Sequence, residues 1–340
     1  MRINVSLPAL TAASTLVFAL PVFAQASDWD AIVAAAQEEG EVVVYHSQLG
    51  ARYFTDVVAS FEEEYGIDVR LLDGRATEII ERVRSEAGSD RRIGDIVMPS
   101  TATAENFTEA GYLGSIGTLP NVANLRDGME PHDTYLPAFR QAYGILVNTN
   151  MVAEDEMPTS WEDLLDPRWQ GQILSNEVRT LGTGMAVLGP LWAHFGDSYV
   201  ERLAGQDLTF SRDIRLEERR VAMGEFPILM TEMFAFYHEL DGLPVTLVLP
   251  EEGSPYTPID MALLDGAPHP NAARVFMNYF LSTEAQTVYA EVGMVPVVDG
   301  IIETLSEEFA ATAGVRLIGY LGAADRAPTA EITERVFGPL

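Results

Sequence analysis

Apolar positions along the first third of the chain alternate between helical stripes and short β-branched runs. From Asp28 to Gly40, Trp29, Ile32, Val33 and Ala36 fall at helical spacing, and Gly40 is placed to stop the helix. Val42 to Tyr45 is a short run typical of a strand covered on both faces, and it breaks at His46 to Gly50. A second helix is predicted from Ala51 to Tyr65, with Phe54, Val57, Val58 and Phe61 on one face and Gly66 as its stop. Ile67 to Leu72 reads as the next strand, Thr77 to Ala87 as a helix, and Asp95 to Met98 as a third strand. Strand, helix and strand at this pace predict an open, mostly parallel α/β sheet.

A further strand, Ala142 to Val147, leads out of this unit through Asn148 to Asn150. The second unit carries a Trp- and Pro-marked segment from Pro158 to Gly171, a strand at Gln172 to Leu174 and a helix from about Thr183. A charged helix from Leu216 to Met223 and a strand at Pro227 to Met230 complete it. Val245 to Leu249 is the return crossing, followed by helices at Pro270 to Leu281 and Thr283 to Val292. With no repeat or flexible linker, two lobes joined by two crossings fit better than two beads on a string.

The N-terminus changes the picture of where this fold resides. Arg2, the apolar stretch Leu16 to Phe23 and the small-x-small site Ala24-Gln25-Ala26 form an export signal, so residues 1–26 stand outside the fold. The apolar run, interrupted by Ser14, Thr15 and Pro21, is shorter than the roughly 20 residues a spanning helix needs. A periplasmic location is the reading for a Gram-negative cell.

The 340 residues and 47% hydrophobic content support a substantial core and exclude a disordered chain. Acidic residues number 51 against 21 basic ones, all of them arginine, for a net charge of −30. A nucleic-acid binder needs a basic stripe to displace condensed counterions, so that class is set aside. Net charge does not fix the sign of a pocket. Without cysteine there is no disulfide, thiolate metal site or cysteine nucleophile.

Catalytic constellations are thin. His46, His132, His194, His238 and His269 are scattered, with none three or four residues from another, which disfavours a metal site. No Walker A sequence or Gly-x-Ser-x-Gly elbow is present. Gly182-Thr183-Gly184 opens a helix and reads equally as an anion cradle or a tight turn. The expectation is that the chain has no catalytic residue, metal or cofactor.

The order of several local patterns resembles one family. They are Val43-Val44-Tyr45-His46-Ser47, the helix-to-strand step from Phe61 to Val69, Arg82 to Glu86 before Gly94-Asp95-Ile96-Val97, and Tyr143-Gly144 before Val147-Asn148-Thr149. Trp161 to Leu164, Val221 to Glu225, and Gly266 to Ala273 with Ser282 to Gln286 follow in register. The chain is similar to periplasmic solute-binding proteins of ABC importers, in the branch of ferric-ion, phosphonate, sugar-phosphate, thiamine and polyamine binders. The resemblance implies a two-lobed type II periplasmic binding fold, each lobe an open mixed sheet with flanking helices, joined by two crossover strands. The implied division is 27–140 and 246–300 for one lobe, 141–245 for the other, and 301–340 as C-terminal helices packing across both.

By position, the resemblance places His46, Ser47, Gln48, Ser100, Thr101, Gly182, Thr183, Gly184, Thr231 and Glu232 around an interlobe cleft. Arg75, Arg179 and Arg212 are added as forked donors in or beside cleft-facing loops, with a surface or structural ion-pair arginine as the alternative reading for each. The ferric-binding pattern is not met: its slots fall on Leu49, Ser100 and Met233-Phe234, and the chain has no Tyr-Tyr dipeptide. Met233, Phe234, Phe236 and Tyr237 form either an apolar pocket wall or a buried helix face. The expected ligand is a small anionic or zwitterionic organic solute, with ferric iron, a polyamine or thiamine as alternatives. An exported enzyme or a receptor-only role on the same fold is the non-transport alternative. Partners would be that ligand and an importer's permease and ATPase, the protein acting as a monomer that closes by flexing near Asn148 and Val245.

Overall fold

The computed structural model describes residues 28–47, 52–89 and 91–340. The signal segment, Gln48 and Leu49 lie outside the described residues. One half of the molecule is built from α1 (Asp28–Glu39), β1 (Glu41–His46), α2 (Arg52–Tyr65), β2 (Asp68–Asp73), α3 (Ala76–Ala87), β3 (Ile96–Val97) and α4 (Thr101–Glu109). The long strand β4 (Tyr135–Asn148) then enters the other half, which holds β5 (Ile173–Asn176), α5 (Thr183–Phe195), α6 (Asp197–Ala204), β6 (Thr209–Ser211) and α7 (Ile214–Ala222). It closes with β7 (Ile228–Met233), α8 (Phe234–Tyr237) and β8 (Val245–Val248). The chain returns in β9 (Ser254–Leu263), α9 (Pro270–Phe280), α10 (Thr283–Ala290), β10 (Val295–Pro296) and α11 (Glu307–Ala313), and ends in β11 (Leu317–Gly319) and α12 (Arg326–Phe337).

The strands run in the order β2-β1-β3-β9-β4-β7-β5-β6, with β8 and β10 also paired to β4 and β11 to β9. Strand β4 belongs to both halves. Its first part, Tyr135 to Ala142, pairs antiparallel with β9, and its second part, from Tyr143 onward, pairs with β7 and β8. The crossing therefore lies at Ala142–Gly144, and the return lies between Val248 and Ser254. Asn148 and Val245, expected at the crossings, are paired with each other inside the second half. A hinge at those two positions would bend one half within itself.

Strand register decides where a ligand could sit. In the first half, Val97 pairs with Ala262 and Ser100 bridges Ile259, so the chain leaving β3 runs toward the Ala142 end of β9. In the second half, Ile228 faces Val147 and Met233 faces Tyr143, and β5 runs parallel to β7. The carboxyl ends of the parallel strands in both halves thus converge on one seam, the place where open α/β sheets bind ligands.

The packing explains why these segments fold as they do. The run Val42–Tyr45 is fully covered, Val42 and Val44 by one apolar cluster and Val43 and Tyr45 by another. Buried Asp95 ties strand to loop: its carboxylate accepts from Val43 N (2.8 Å) and from His269 N (2.7 Å), and His269 Nδ1 lies 3.0 Å from Oδ2. His269 is thereby a structural residue. Asp95→Ala leaves two backbone donors unsatisfied and should cost about 2 kcal/mol, read from a urea unfolding midpoint. At the seam, a Cβ on Gly144 would meet Val248 O at 2.7 Å and Phe234 Cε1 at 2.8 Å, so the crossing strand needs glycine there.

Several elements depart from the sequence-based expectations. Strand β4 begins seven residues before the predicted Ala142, because Pro137 and Arg140 mask a run that is buried from Leu136 onward. Strand β9 was not expected, since Pro255, Pro258 and Asp260 interrupt its pattern; it is central and nonetheless buried over most of its length. Strand β2 is the sheet edge, half exposed.

Candidate functional site

Two helix N-termini open at the seam. In the first half, α4 follows β3 directly; Thr103 N and Ala104 N donate to Ser100 O, and the Ser100 hydroxyl makes no cap bond. Its Oγ lies 3.1 Å from Thr103 Oγ1 instead. The Thr101 hydroxyl is hydrogen-bonded to Asp260, whose carboxyl is pushed up to about 6, chiefly by burial. In the second half, α5 begins after the loop leaving β5, with Gly182 exposed and Thr183 half-buried. A Cβ on Gly184 would lie 2.3 Å from Asn176 O and 2.5 Å from Glu177 O. The third position of Gly182-Thr183-Gly184 is therefore required by close backbone approach.

Asn176 organises this second wall. Its backbone N–H donates to Thr231 Oγ1 (2.9 Å), its Nδ2 to Glu217 Oε1 (2.9 Å), and its Oδ1 accepts from Gly184 N (3.3 Å). At the end of β1, His46 is buried with Nδ1 3.6 Å from Asp73 Oδ1 and its ring 4.7 Å from that of Phe54. Burial lowers its pKa and favours the neutral imidazole. Ser47 follows it, half-buried.

The other expected site residues are held elsewhere or otherwise engaged. Thr231 is fully buried and spends its hydroxyl on Asn176. Glu232 is also fully buried, and neither carboxylate oxygen has a hydrogen-bond partner among the described residues. Arg75 is 81% exposed at the start of α3 and lies 3.9 Å from Glu78. Arg212 is exposed beside the Glu177 carboxylate. Arg179 grips Glu177 with two bonds, Nε at 2.7 Å and Nη2 at 2.9 Å, donates from Nη1 to Pro339 O (3.1 Å), and stacks over Phe210. Arg179→Ala removes the two guanidinium bonds of a buried carboxylate, so it should lower the urea midpoint by the equivalent of about 2 kcal/mol and expose the C-terminal residues to carboxypeptidase.

Phe234 and Phe236 are 0% and 1% exposed, which makes them a buried helix face, not a pocket wall. Phe236 also carries the Arg215 guanidinium 3.6 Å over its ring. A groove of about 290 Å³ opens between α2 and α10 of one half and α8 of the other, lined by Asp56, Ala235, His238, Glu239, Val288, Glu291 and Val292. No group of three or more His, Asp or Glu side chains suited to a metal ion occurs among the described residues. Asn176, Asp260 and Arg326 border the seam without having been singled out. Asn176 had a local signal, as a polar residue ending a strand before a glycine-rich helix start; Arg326 had none, being 226 positions from Ser100.

A curled mixed sheet whose two halves share a long crossing strand, with parallel-strand ends meeting between them, defines the two-lobed type II periplasmic binding fold. The profile described as bacterial extracellular solute-binding protein matches residues 92–313, and the chain belongs to that family. It is a family of binding proteins that serve ABC transporters. The iron-bound HitA of Pseudomonas aeruginosa has the same fold, with a TM-score of 0.70 at 18% identity over 87% of this chain and 99% of that one. The fructose-6-phosphate-bound AfuA of Actinobacillus pleuropneumoniae superposes with a TM-score of 0.68 at 17% identity over 88% and 99%. In sequence, a putative 2-aminoethylphosphonate-binding periplasmic protein of Salmonella typhimurium is 23% identical over 68% of this chain and 70% of its own. Iron uptake protein A1 of Synechocystis is 29% identical over 40% of this chain and 38% of its own. Among the described residues no helix is long and apolar enough to cross a membrane.

Proposed function

We propose that this protein captures a small anionic or zwitterionic organic solute, a phosphonate, phosphate ester or carboxylate, in the seam between its halves. We further propose that it acts as an exported, periplasmic monomer that passes the solute to a membrane permease driven by an ATPase. The observation that carries the ligand class is the pair of helix starts, at Ser100–Thr103 and Gly182–Gly184, brought to one seam by strand register. The macrodipole at each start favours an oxyanion. The lobes in this reading are 27–140 with 246–300, and 141–245, with 301–340 across both. Bending of β4 at Ala142–Gly144 and of the return at 249–253 would close them on the ligand. No residue is assigned a chemical step.

A second reading is favoured by the groove, where Asp56, Glu239 and Glu291 present three carboxylates. A polyamine or other organic cation would suit those walls. A thermal-shift series on refolded mature protein separates the two, since a ligand that binds only the folded state raises the midpoint. The expected result is a shift with 2-aminoethylphosphonate, fructose 6-phosphate or citrate, and none with spermidine. A shift with spermidine alone supports the cation reading; one with ferric ion alone means that iron is held without a Tyr-Tyr pair.

A further inference from the structure

The C-terminal helix α12 packs against α5 and α6 of the second half, yet its first residue reaches the first half. Arg326 Nη2 lies 3.4 Å from both Ser100 Oγ and Thr103 Oγ1, directly at the open start of α4. Four features of this guanidinium are unusual together. It is half-buried, with Nε shielded from solvent and without a hydrogen-bond partner among the described residues. No carboxylate oxygen among those residues lies within 4.0 Å of it, in a chain with 51 acidic side chains, and Glu105 acts on it only at longer range. Its neighbours are two long, neutral hydroxyl contacts, where Arg140, Arg179 and Arg215 each have a carboxylate within 3.7 Å. It also adds a positive charge to the positive end of a helix, a juxtaposition that is repulsive until an anion stands between them.

We infer that Arg326 is a specificity-determining residue of the ligand site, donating from its guanidinium fork to the oxyanion of the solute that α4 and the hydroxyls of Ser100 and Thr103 also hold. A half-buried arginine whose Nε lacks a hydrogen-bond partner among the described residues, set beside a helix start, is a recognition pair for a phosphonate, phosphate or carboxylate group. Because Arg326 stands on a helix packed against α5 and α6 of the second half and Ser100 belongs to the first, an anion gripped by both would draw the halves together. The inference rests on the anionic reading of the seam and names the side chain that reads the charge.

The test is isothermal titration of 2-aminoethylphosphonate, fructose 6-phosphate, citrate and inorganic phosphate into the wild-type, Arg326→Ala, Arg326→Lys and Arg75→Ala proteins. For whichever probe the wild type binds, Arg326→Ala is expected to weaken affinity roughly 10- to 100-fold, as loss of a charge-assisted contact does, and Arg75→Ala to leave it unchanged. Arg326→Lys keeps the charge but not the fork, so it should recover only part of the loss. Circular dichroism melts of the unliganded variants distinguish lost binding from lost folding. Equal affinity in wild type and both Arg326 variants would overturn the inference and leave the anionic reading standing. Failure of every anion to bind the wild type would overturn that reading as well.

Discussion

Gly184→Val is expected to abolish solute capture and to lower the thermal midpoint by roughly 5 °C. The cause is steric. A side chain at position 184 begins 2.3 Å from one backbone oxygen and 2.5 Å from the next, both in the segment that leaves β5, and neither can swing aside as a flexible side-chain tip could. Either the start of α5 lifts away, or the Asn176–Glu177 segment shifts and breaks the bonds from Asn176 to Thr231, Glu217 and Gly184. Overpacking of this kind costs about 3 kcal/mol, and in a chain of this size each kcal/mol moves the midpoint by about 1.5 °C. Differential scanning calorimetry and the ligand titration together check it. A variant that melts normally and binds normally would show that the helix start is not held as described.

The second large effect is a loss of stability between pH 5 and pH 8. Glu217, Glu218 and Glu232 are 0–2% exposed in the second half, and each keeps at least one carboxylate oxygen without a hydrogen-bond partner among the described residues. Arg215 faces Glu218 at 3.4 Å and Glu239 at 2.8 Å, too little positive charge for the group. Burial raises all three acids, Glu218 to about 7 and Glu232 well above the usual carboxylate range, with the neighbouring carboxylates adding to it. An acid that is harder to ionise when folded binds its proton more tightly in the native state. Its stabilisation is complete below the unfolded value near 4.5 and is lost as pH rises through the folded value. For Glu218 alone that is on the order of 3 kcal/mol. Asp260, raised to about 6, acts in the same direction.

The opposite sign belongs to Glu177, lowered mainly by its bonds to Arg179 against the cost of burial, and to Asp163, lowered by the hydrogen bonds of Thr159 and Ser160. Their stabilisation is present at neutral pH and is lost as pH falls below about 4.5. The maximum should therefore lie near pH 5, with a midpoint several degrees lower at pH 8. Glu232→Met, similar in volume and without a charge to desolvate, should raise the midpoint at pH 8 and change it little at pH 5. A flat profile from pH 5 to pH 8 would mean that water or a counter-charge satisfies the cluster.

Much of the fold was legible residue by residue, because burial on one or both faces writes itself into local periodicity. The strand at Val42–Tyr45 and the helices at 28–39, 52–65, 76–87 and 270–280 match their apolar stripes to within a residue or two. Where the pattern failed, the reason was again physical. The first part of β4 and all of β9 lie between other strands, yet they carry prolines at shifts in the ladder and a buried Arg140–Asp260 pair 3.7 Å apart. Their polarity is balanced by each other, which no local window can register.

The candidate site divides along the same line. Ser100, Thr101 and Gly182–Gly184 were legible as helix starts, because a helix start after a strand has a composition of its own, set by backbone N–H groups and tight turns. The arginines were not, since a guanidinium's role depends on which carboxylate it meets: Arg179 meets Glu177, Arg75 meets Glu78, and Arg326, in the last helix, meets hydroxyls and an open helix end. The sequence by itself determined the α/β alternation, the family and the helix starts, all of which follow from short-range geometry and burial. Only the tertiary structure decided where the strand ends meet, that Thr231 and Glu232 lie beneath the seam, and which cation faces it, because partners far apart in the chain are chosen by packing.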